Sequence, residues 1–360
     1  MTPSPKSATA KRQHSRILIR STNWIGDAVM TMPAVQRLRE LYPDAHIALL
    51  CHAKLHDLWR HNAYLTETIP FDPHPQAAQL RDQQFDLALI LPNSFRSAWE
   101  AFRARIPRRV GFAGNTRSFL LTDIVEEPRS EQPIYEPVTV AGKTFQVKQF
   151  ATIRHQALRY LDIVSYLGGD PGIVPPKIWL APEEMSGVHK YLPRDAKPVF
   201  ALNAGAEFGP ANRWPAENFA EVARRVASEV DAHWLLLGGP GDVEIARAIQ
   251  SKLTGISTIN VAGKTTLLEL CELLRCCRLM LTNDTGHMHI GAAVGIPVVA
   301  IFGSTSPELT GPLGPKTTVL HQTVECNPCF LRECPIDFRC MHLISVEQVT
   351  KAVLKQLAAV

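Results

Sequence analysis

The 360-residue chain is long enough for two domains of roughly 150 residues each. Its 46% apolar and 20% charged residues are those of a globular chain, and 21 Gly with 27 Pro exclude collagen-like and low-complexity classes. A net charge of +4 and only 7% aromatics argue against a dedicated nucleic-acid binder, while leaving room for acidic substrates or anionic surfaces.

Residues 1–15 are polar and basic and read as a disordered tail. The apolar run Ile17 to Ile19 that follows is too short for a signal-peptide core. Arg16–Arg20 reads as a strand, STNWIGD as a loop, and the stretch from Asp27 to Leu41 as a helix, with Ala28, Met32, Val35, Leu38 and Leu41 at helical spacing and Asp27 as N-cap. His46–Cys51 and Phe85–Leu91 are strands of the kind covered on both faces in a parallel sheet. Residues 126–150 read as a long loop, and a helix is expected from about Thr152 to Leu167, ended by Gly168 and Gly169. Residues 171–197 are Pro-rich and read as a linker.

The second half repeats this style. Val199–Asn203, His233–Gly238, Arg278–Asn283 and Pro297–Phe302 read as strands, helices start near Pro215 and after Asp284, and a last helix starts near Ser345. The uncharged run between Asp284 and Glu308 has bilayer length, but its His, Gly and Pro residues make it a buried helix–turn–strand. These elements predict an α/β chain with two Rossmann-like domains facing across a cleft. The expected limits are a tail at 1–15, an N-terminal domain at 16–170, a linker at 171–197, a C-terminal domain at 198–344 and a C-terminal helix at 345–360.

Several motifs are missing. The loop after the first strand has one glycine, Gly26, so there is no dinucleotide fingerprint. The Gly-Lys-Thr triplets at 142–144 and 263–265 lack the upstream glycine of a P-loop. No Asp-x-Asp pair occurs, which disfavours a metal-clamping sugar-nucleotide enzyme, and His287 and His289 fall on different faces of their helix.

Four places carry candidate chemistry. Asn283 to His289 joins a strand end to a small-residue helix whose N-terminus suits a diphosphate. Asp284 there either N-caps the helix or accepts hydrogen bonds from sugar hydroxyls, and Gly286 would let a ligand approach the backbone. Asn203 to Pro215 offers a turn at Gly205 and a cation at Arg213 for phosphate, or an ordinary strand–helix turn. Glu244, after Gly238-Gly239-Pro240-Gly241-Asp242, either holds ribose hydroxyls or is a solvated helix-start residue. Asp27, at the mouth of the expected cleft, is a general-base candidate or a bare N-cap.

Taken together, STNWIGDAVMTMPAV, LPNSF, NAGAEFGPANRWP, the AGKT at 262–265 and TNDTGHMHIGAAVGIPVVAIFGSTSP resemble the ADP-heptose:lipopolysaccharide heptosyltransferases, above all their heptosyltransferase II branch, over roughly residues 16–358. The resemblance implies a GT-B glycosyltransferase. It implies metal-independent, inverting transfer of L-glycero-D-manno-heptose from ADP-heptose to the inner-core heptose of Kdo–lipid A, with no cofactor and no metal ligands. It casts Asp27 as catalytic base, Asp284 as donor-sugar carboxylate, Thr285 and Gly286 as the phosphate-binding helix start, His289 as the histidine one turn on, and Glu244 as ribose ligand. The family's lysine before the Arg-Trp-Pro element is Asn212 here, so either Arg213 compensates for the missing cation or the donor differs. An anionic acceptor fits Arg96, Arg108, Arg109 and Arg117 in a loop-rich stretch, which otherwise form a solvated basic surface. A cytoplasmic location with peripheral contact at the inner membrane is expected, with no nucleic-acid partner. The alternatives are a GT-B transferase with another nucleotide-sugar donor and a non-catalytic sugar-nucleotide-binding paralogue.

Eight cysteines complete the picture. Cys326, Cys329, Cys334 and Cys340 lie within 15 residues, spaced for tetrahedral zinc or for a thiol-lined core, while Cys51, Cys271, Cys276 and Cys277 read as core.

Overall fold

In the first half, strands β1 (Arg16–Arg20), β2 (His46–His52), β3 (Glu67–Phe71), β4 (Leu87–Ile90), β5 (Arg108–Phe112) and β6 (Asp123–Val125) form one sheet in the order β3-β2-β1-β4-β5-β6. All its pairings are parallel. Their connecting helices are α1 (Ile25–Leu41), α2 (Ala77–Asp82) and α3 (Phe95–Arg103). A hairpin, β7 (Pro133–Val140) and β8 (Lys143–Phe150), and helix α4 (Gln156–Tyr166) follow. This computed structural model describes residues 14–75, 77–114, 116–181 and 187–359. Most of the expected tail, residues 1–13, and residues 182–186 of the expected linker lie outside the described residues.

The second half repeats the pattern. Strands β9 (Val199–Asn203), β10 (His233–Leu236), β11 (Thr258–Asn260), β12 (Leu279–Asn283), β13 (Val298–Phe302) and β14 (Thr317–His321) take the order β11-β10-β9-β12-β13-β14, again all parallel. Helices α5 (Ala216–Glu229), α6 (Val243–Lys252), α7 (Leu267–Cys276), α8 (Gly286–Val294), α9 (Pro307–Thr310), α10 (Arg339–His342) and α11 (Val346–Ala358) accompany it. Helix α11 packs on α5, β12 and β13, so the C-terminal helix covers the second sheet. The expected GT-B arrangement of two Rossmann-like domains is therefore present. In each sheet the strand order reverses beside the first strand, between β1 and β4 and between β9 and β12, which is where such sheets hold ligands.

The central strands form because their cores are apolar on both faces: Ile17, Leu18 and Ile19 in β1, and Leu279, Met280 and Leu281 in β12, are all buried. One apolar core runs continuously from α1 and α4 through to α7 and α8, so the two halves share it, while each sheet has a separate core on its other face. Among the described residues no helix is long and apolar enough to cross a membrane.

Two expectations are corrected. Residues 133–150 are an antiparallel hairpin turning at Ala141–Gly142. Its exposed outer positions and its Pro133 and Pro137 mask the alternation that would mark strands. Helix α1 begins before Asp27: Trp24 is its N-cap, with no side-chain cap bond, and Asp27 stands in the first turn.

The N-termini of α1 and α8 meet across the two halves. A Cβ on Gly286 would lie 2.9 Å from Ile25 Cβ and 3.4 Å from the Gly26 nitrogen, and one on Gly26 would lie 3.0 Å from His289 Cδ2. Only glycine fits this contact without displacement. Gly286→Ala should therefore cost about 1–3 kcal/mol in denaturant unfolding. Gly241→Ala, where a Cβ would meet nothing within 4 Å, should change stability little. Equal effects for the two variants would mean that the helix termini are not pressed together.

Candidate active site between the two sheets

Two carboxylates stand beside this helix contact, one from each half. Asp27, from the first turn of α1, accepts a hydrogen bond from Gln156 Nε2 of α4 at 2.8 Å, and Gln156 also donates to Tyr160 Oη at 2.9 Å. Burial raises the Asp27 carboxyl above its ordinary value, opposed by the Gln156 bond and the positive charge of Arg159. The carboxylate is thus aimed at α4 and does not cap its own helix, while Ser21 Oγ and Thr22 Oγ1 lie buried nearby in sequence with no hydrogen-bond partner among the described residues. A desolvated carboxylate poised above its usual pKa suits proton abstraction.

Asp284, between β12 and α8, is held by neutral groups. Its Oδ2 accepts from Asn212 Nδ2 at 3.0 Å and from Thr305 Oγ1 at 2.6 Å. Burial pushes its pKa up to about 6, against the Thr305 bond. Thr285, not Asp284, is the N-cap of α8, and its side chain makes no cap bond. Among the described residues both of the Asp284 bonds, from Asn212 and Thr305, fall on Oδ2 and none on Oδ1, while the first-turn amides of α8 carry the positive end of the helix dipole.

Asn212 is fully buried and its amide is spent on this wall: Oδ1 accepts from the Ser304 nitrogen and from Ser304 Oγ, both at 2.9 Å. Asn283 ties the turn after β9 to the end of β12, accepting from the Trp214 nitrogen and donating to the Ala204 carbonyl. Arg213 reaches Asp242 at 3.8 Å. Gly205 leaves room for that same Asp242, whose carboxylate a Cβ would meet at 2.2 Å, and Asp242 also accepts from the Gly239 nitrogen at 3.0 Å.

His289 is buried, packed on Gly26 and held neutral, its pKa pushed down to about 3 by burial and by His155. His155 itself accepts from the Ala157 nitrogen through Nδ1, so its Nε2 donates to the Gly311 carbonyl at 2.9 Å and links α4 to the second half. His287 is depressed to about 4 by burial, with Asp242 opposing.

The expected site residues therefore separate. Asp27 and His289 meet around the α1–α8 contact, and Asp284, Thr285, Gly286, Asn212, Gly205 and Arg213 frame the adjoining turns. Glu244 stands exposed on the first turn of α6, paired with Arg247 at 2.7 Å. Arg117 is completely buried, donating to the Phe112, Pro92 and Ser94 carbonyls, and burial lowers it to about 10. Arg109 donates to the Leu120 carbonyl, with a further bond to Ile106, and lies over Phe102. Arg108 pairs with Asp123 at 3.0 Å, and Arg96 is exposed on α3. Gln156, Arg159, Lys148, Thr305 and Asp242 were not singled out from the sequence. Their roles arise from contacts between distant segments, 129 residues apart for Gln156 and Asp27. Arg159 pairs with Glu127 at 3.2 Å and lies over Phe112, and Lys148 feels its charge.

The four clustered cysteines are free thiols lining one small cavity with Ala211, Ser304 and Arg339. Burial raises Cys326, Cys329 and Cys340, Cys340 to about 12. Among the described residues no group of three or more His, Cys, Asp or Glu is placed to hold a metal ion. The same segment buttresses the Asp284 wall, since Phe330 donates to the Ser304 carbonyl and Ser304 Oγ to that of Leu331.

The glycosyltransferase family 9 (heptosyltransferase) model matches residues 76–338, so Asp27 precedes the matched span. The chain is 30% identical over 322 residues to the lipooligosaccharide heptosyltransferase 2 of Haemophilus influenzae, covering 85% of this chain and 88% of that one. It is 30% identical over 324 residues to the lipopolysaccharide heptosyltransferase 2 of Escherichia coli, with the same two shares covered. The solved structure of E. coli ADP-heptose lps heptosyltransferase II superposes with a TM-score of 0.78 at 25% identity, across 96% of this chain and 99% of that one.

The raised Asp284 pKa has a stability consequence. The folded state holds this proton more tightly than the unfolded chain, so the group's contribution falls as pH rises from the unfolded value near 3.8 to about 6 and stays low above it. Asp284→Asn should therefore stabilise the fold by roughly 2–3 kcal/mol above pH 7, and by little below pH 4. Unfolding midpoints across pH measure this; a pH-independent difference would contradict it.

Proposed function

The chain belongs to glycosyltransferase family 9, the heptosyltransferases, and from that premise we propose that it moves L-glycero-D-manno-heptose from ADP-heptose to the inner-core heptose of Kdo–lipid A with inversion. The single observation that carries the mechanism is the placement of Asp27 and Asp284 on the two helix termini that meet at Gly26 and Gly286.

In this reading the second half holds the donor. The diphosphate faces the first-turn amides of α8 at Thr285 and Gly286, with Arg213 as the nearby cation. Asp284 Oδ1 accepts from sugar hydroxyls while Asn212 and Thr305 fix its other oxygen. Asp27 takes the proton from the acceptor hydroxyl as that oxygen bonds to the anomeric carbon. The bond from that carbon to the diphosphate oxygen breaks on the opposite face, and its electron pair leaves with ADP. Gln156 orients Asp27, and neutral His289 fills the space behind Gly26 without adding a charge beside the base.

The acceptor side is the first half. Arg96 has an exposed guanidinium available for anionic groups, whereas Arg109 and Arg117 shape the loop they sit in. Lys148 and Arg159, electrostatically linked to each other and Arg159 to Asp27, join Arg96 as acceptor-binding cations. Glu244 would reach a ribose only by releasing Arg247. A lipid-linked acceptor places the protein at the cytoplasmic face of the inner membrane.

Asn212 favours a second reading, a transferase with another nucleotide-sugar donor, because its buried amide supplies no charge to a diphosphate. With purified protein, ADP-heptose and a heptosyl-Kdo–lipid A acceptor, ADP release should match the gain of one heptose in the acceptor mass. Tighter binding and turnover of a UDP-, GDP- or CMP-sugar would support the second reading instead.

Ionised Asp284 accepts hydrogen bonds more strongly than its protonated form, so activity should fall as pH drops through about 6. Asn212→Lys sets a cation beside it and should move that acid limb down by about one pH unit or more. An unmoved limb in kcat/KM profiles would show that Asp284 does not set it.

A further inference from the structure

Helix α3 turns two different faces outward and inward. Ser97, Ala98 and Ala101 are buried against the first sheet, and Glu100 is buried in an ion pair with Arg20 at 2.6 Å. The outward face carries Phe95, Trp99 and Phe102, spaced by four and three residues, which places them on one stripe. They are 41%, 40% and 43% exposed, and Phe119 beside them is 72% exposed. Phe95 stacks on Trp99 at 6.1 Å, Trp99 on Phe102 at 5.6 Å, and Phe119 closes on Phe95 at 6.2 Å, so the four rings form one continuous apolar surface. Among the described residues nothing covers it.

Charge surrounds this surface with one sign. From Pro92 to Thr122 the single acid, Glu100, is buried and neutralised by Arg20, and of the six arginines Arg117 is buried and Arg108 is paired with Asp123 just beyond the segment, so the charge exposed beside the rings is that of the remaining arginines. Arg96, Arg103 and Arg105 are exposed around the stripe, and the Arg109 guanidinium lies 5.5 Å from the Phe102 ring.

We propose that the Phe95–Trp99–Phe102–Phe119 surface docks the protein on an anionic lipid bilayer, with the rings at headgroup depth and the arginines on lipid phosphates. Aromatic rings ringed by arginine, without carboxylates, are the composition that partitions into a membrane interface. A second copy of the chain fits poorly, because a two-fold contact on this face would set arginine against arginine. The location agrees. Helix α3 follows β4, whose neighbour β1 leads into the Asp27 loop, and Arg20 joins the two by bonding both Glu100 and Asn23. The N-terminal end of the docked face thus lies at the same carboxyl edge of the sheet as the Asp27 loop, on the opposite face of the sheet from α1, and a membrane-held acceptor would reach Asp27 around that edge. That last point rests on the lipid-linked acceptor proposed above; the docking itself does not.

The test separates the two. Flotation with acceptor-free phosphatidylethanolamine–phosphatidylglycerol vesicles at moderate salt should carry the wild-type chain, and pure phosphatidylcholine vesicles should carry much less. Trp99→Ser with Phe102→Ser should reduce partitioning at least tenfold, and Arg103→Glu with Arg105→Glu should do the same, with unfolding midpoints and ADP binding unchanged. Turnover on a deacylated, soluble acceptor should survive both pairs, while the KM for vesicle-embedded acceptor rises. Absence of wild-type flotation, equal flotation by the variants, or a concentration-dependent dimer that the Trp99–Phe102 pair dissolves would overturn the docking proposal. Flotation without transfer to any acceptor would leave it standing and overturn the functional reading alone.

Discussion

Two helix N-termini from different sheets are pressed together at Gly26 and Gly286, with Ile25 and His289 filling the space a side chain would need. The rest of the site is arranged around that contact. It sets the first turn of α1, with Asp27, beside the start of α8, with Asp284 one residue ahead of its cap. The shared apolar core behind it, reaching from α4 to α7, makes the juxtaposition part of the fold. Both parallel sheets have the same strand order, so each contributes a switch-point loop at its carboxyl edge. The cleft is where those loops face one another.

Charge at this contact is managed by neutral groups. Asp284 is bonded by an amide and a hydroxyl, and its pKa of about 6 reflects burial that no cation offsets. Asn212 stands at the position where the sequence resemblance implies a lysine. Its amide is fully committed, so it acts as a rigid part of the wall that Ser304 and the cysteine-bearing segment complete. Asp27 is likewise desolvated, but Arg159 and Gln156 temper it. One carboxylate is thus held by a neutral network and the other by an amide with a cation nearby, and these surroundings suit the different tasks proposed for them.

The central strands were legible because they are buried on both faces and read as unbroken apolar runs, as at Ile17–Ile19 and Phe200–Leu202. Peripheral strands were not: every residue of β11 and β14 is half-buried, which leaves no run and no clean alternation. Asp27 and Asp284 stood out because each follows a strand and sits at a helix start, a place defined by local sequence. Gln156, Thr305 and Arg159 could not stand out, since each acquires meaning only from a partner brought near by the fold. The arginines show the same limit in reverse. Arg96 and Arg117 look alike in sequence, yet Arg117 is sealed among carbonyls and Arg96 faces outward. The cysteine spacing fitted zinc, whereas the thiols surround a small cavity in a supporting loop.

The central claim is that Asp27 removes the acceptor proton opposite a donor held by the other half. The most direct measurement is turnover and ADP-heptose affinity in Asp27→Asn, which keeps the side chain's size and removes its basicity. The account predicts that turnover falls by roughly 10²–10⁴-fold while donor affinity stays within about threefold of wild type. Near-normal turnover in that variant would contradict it.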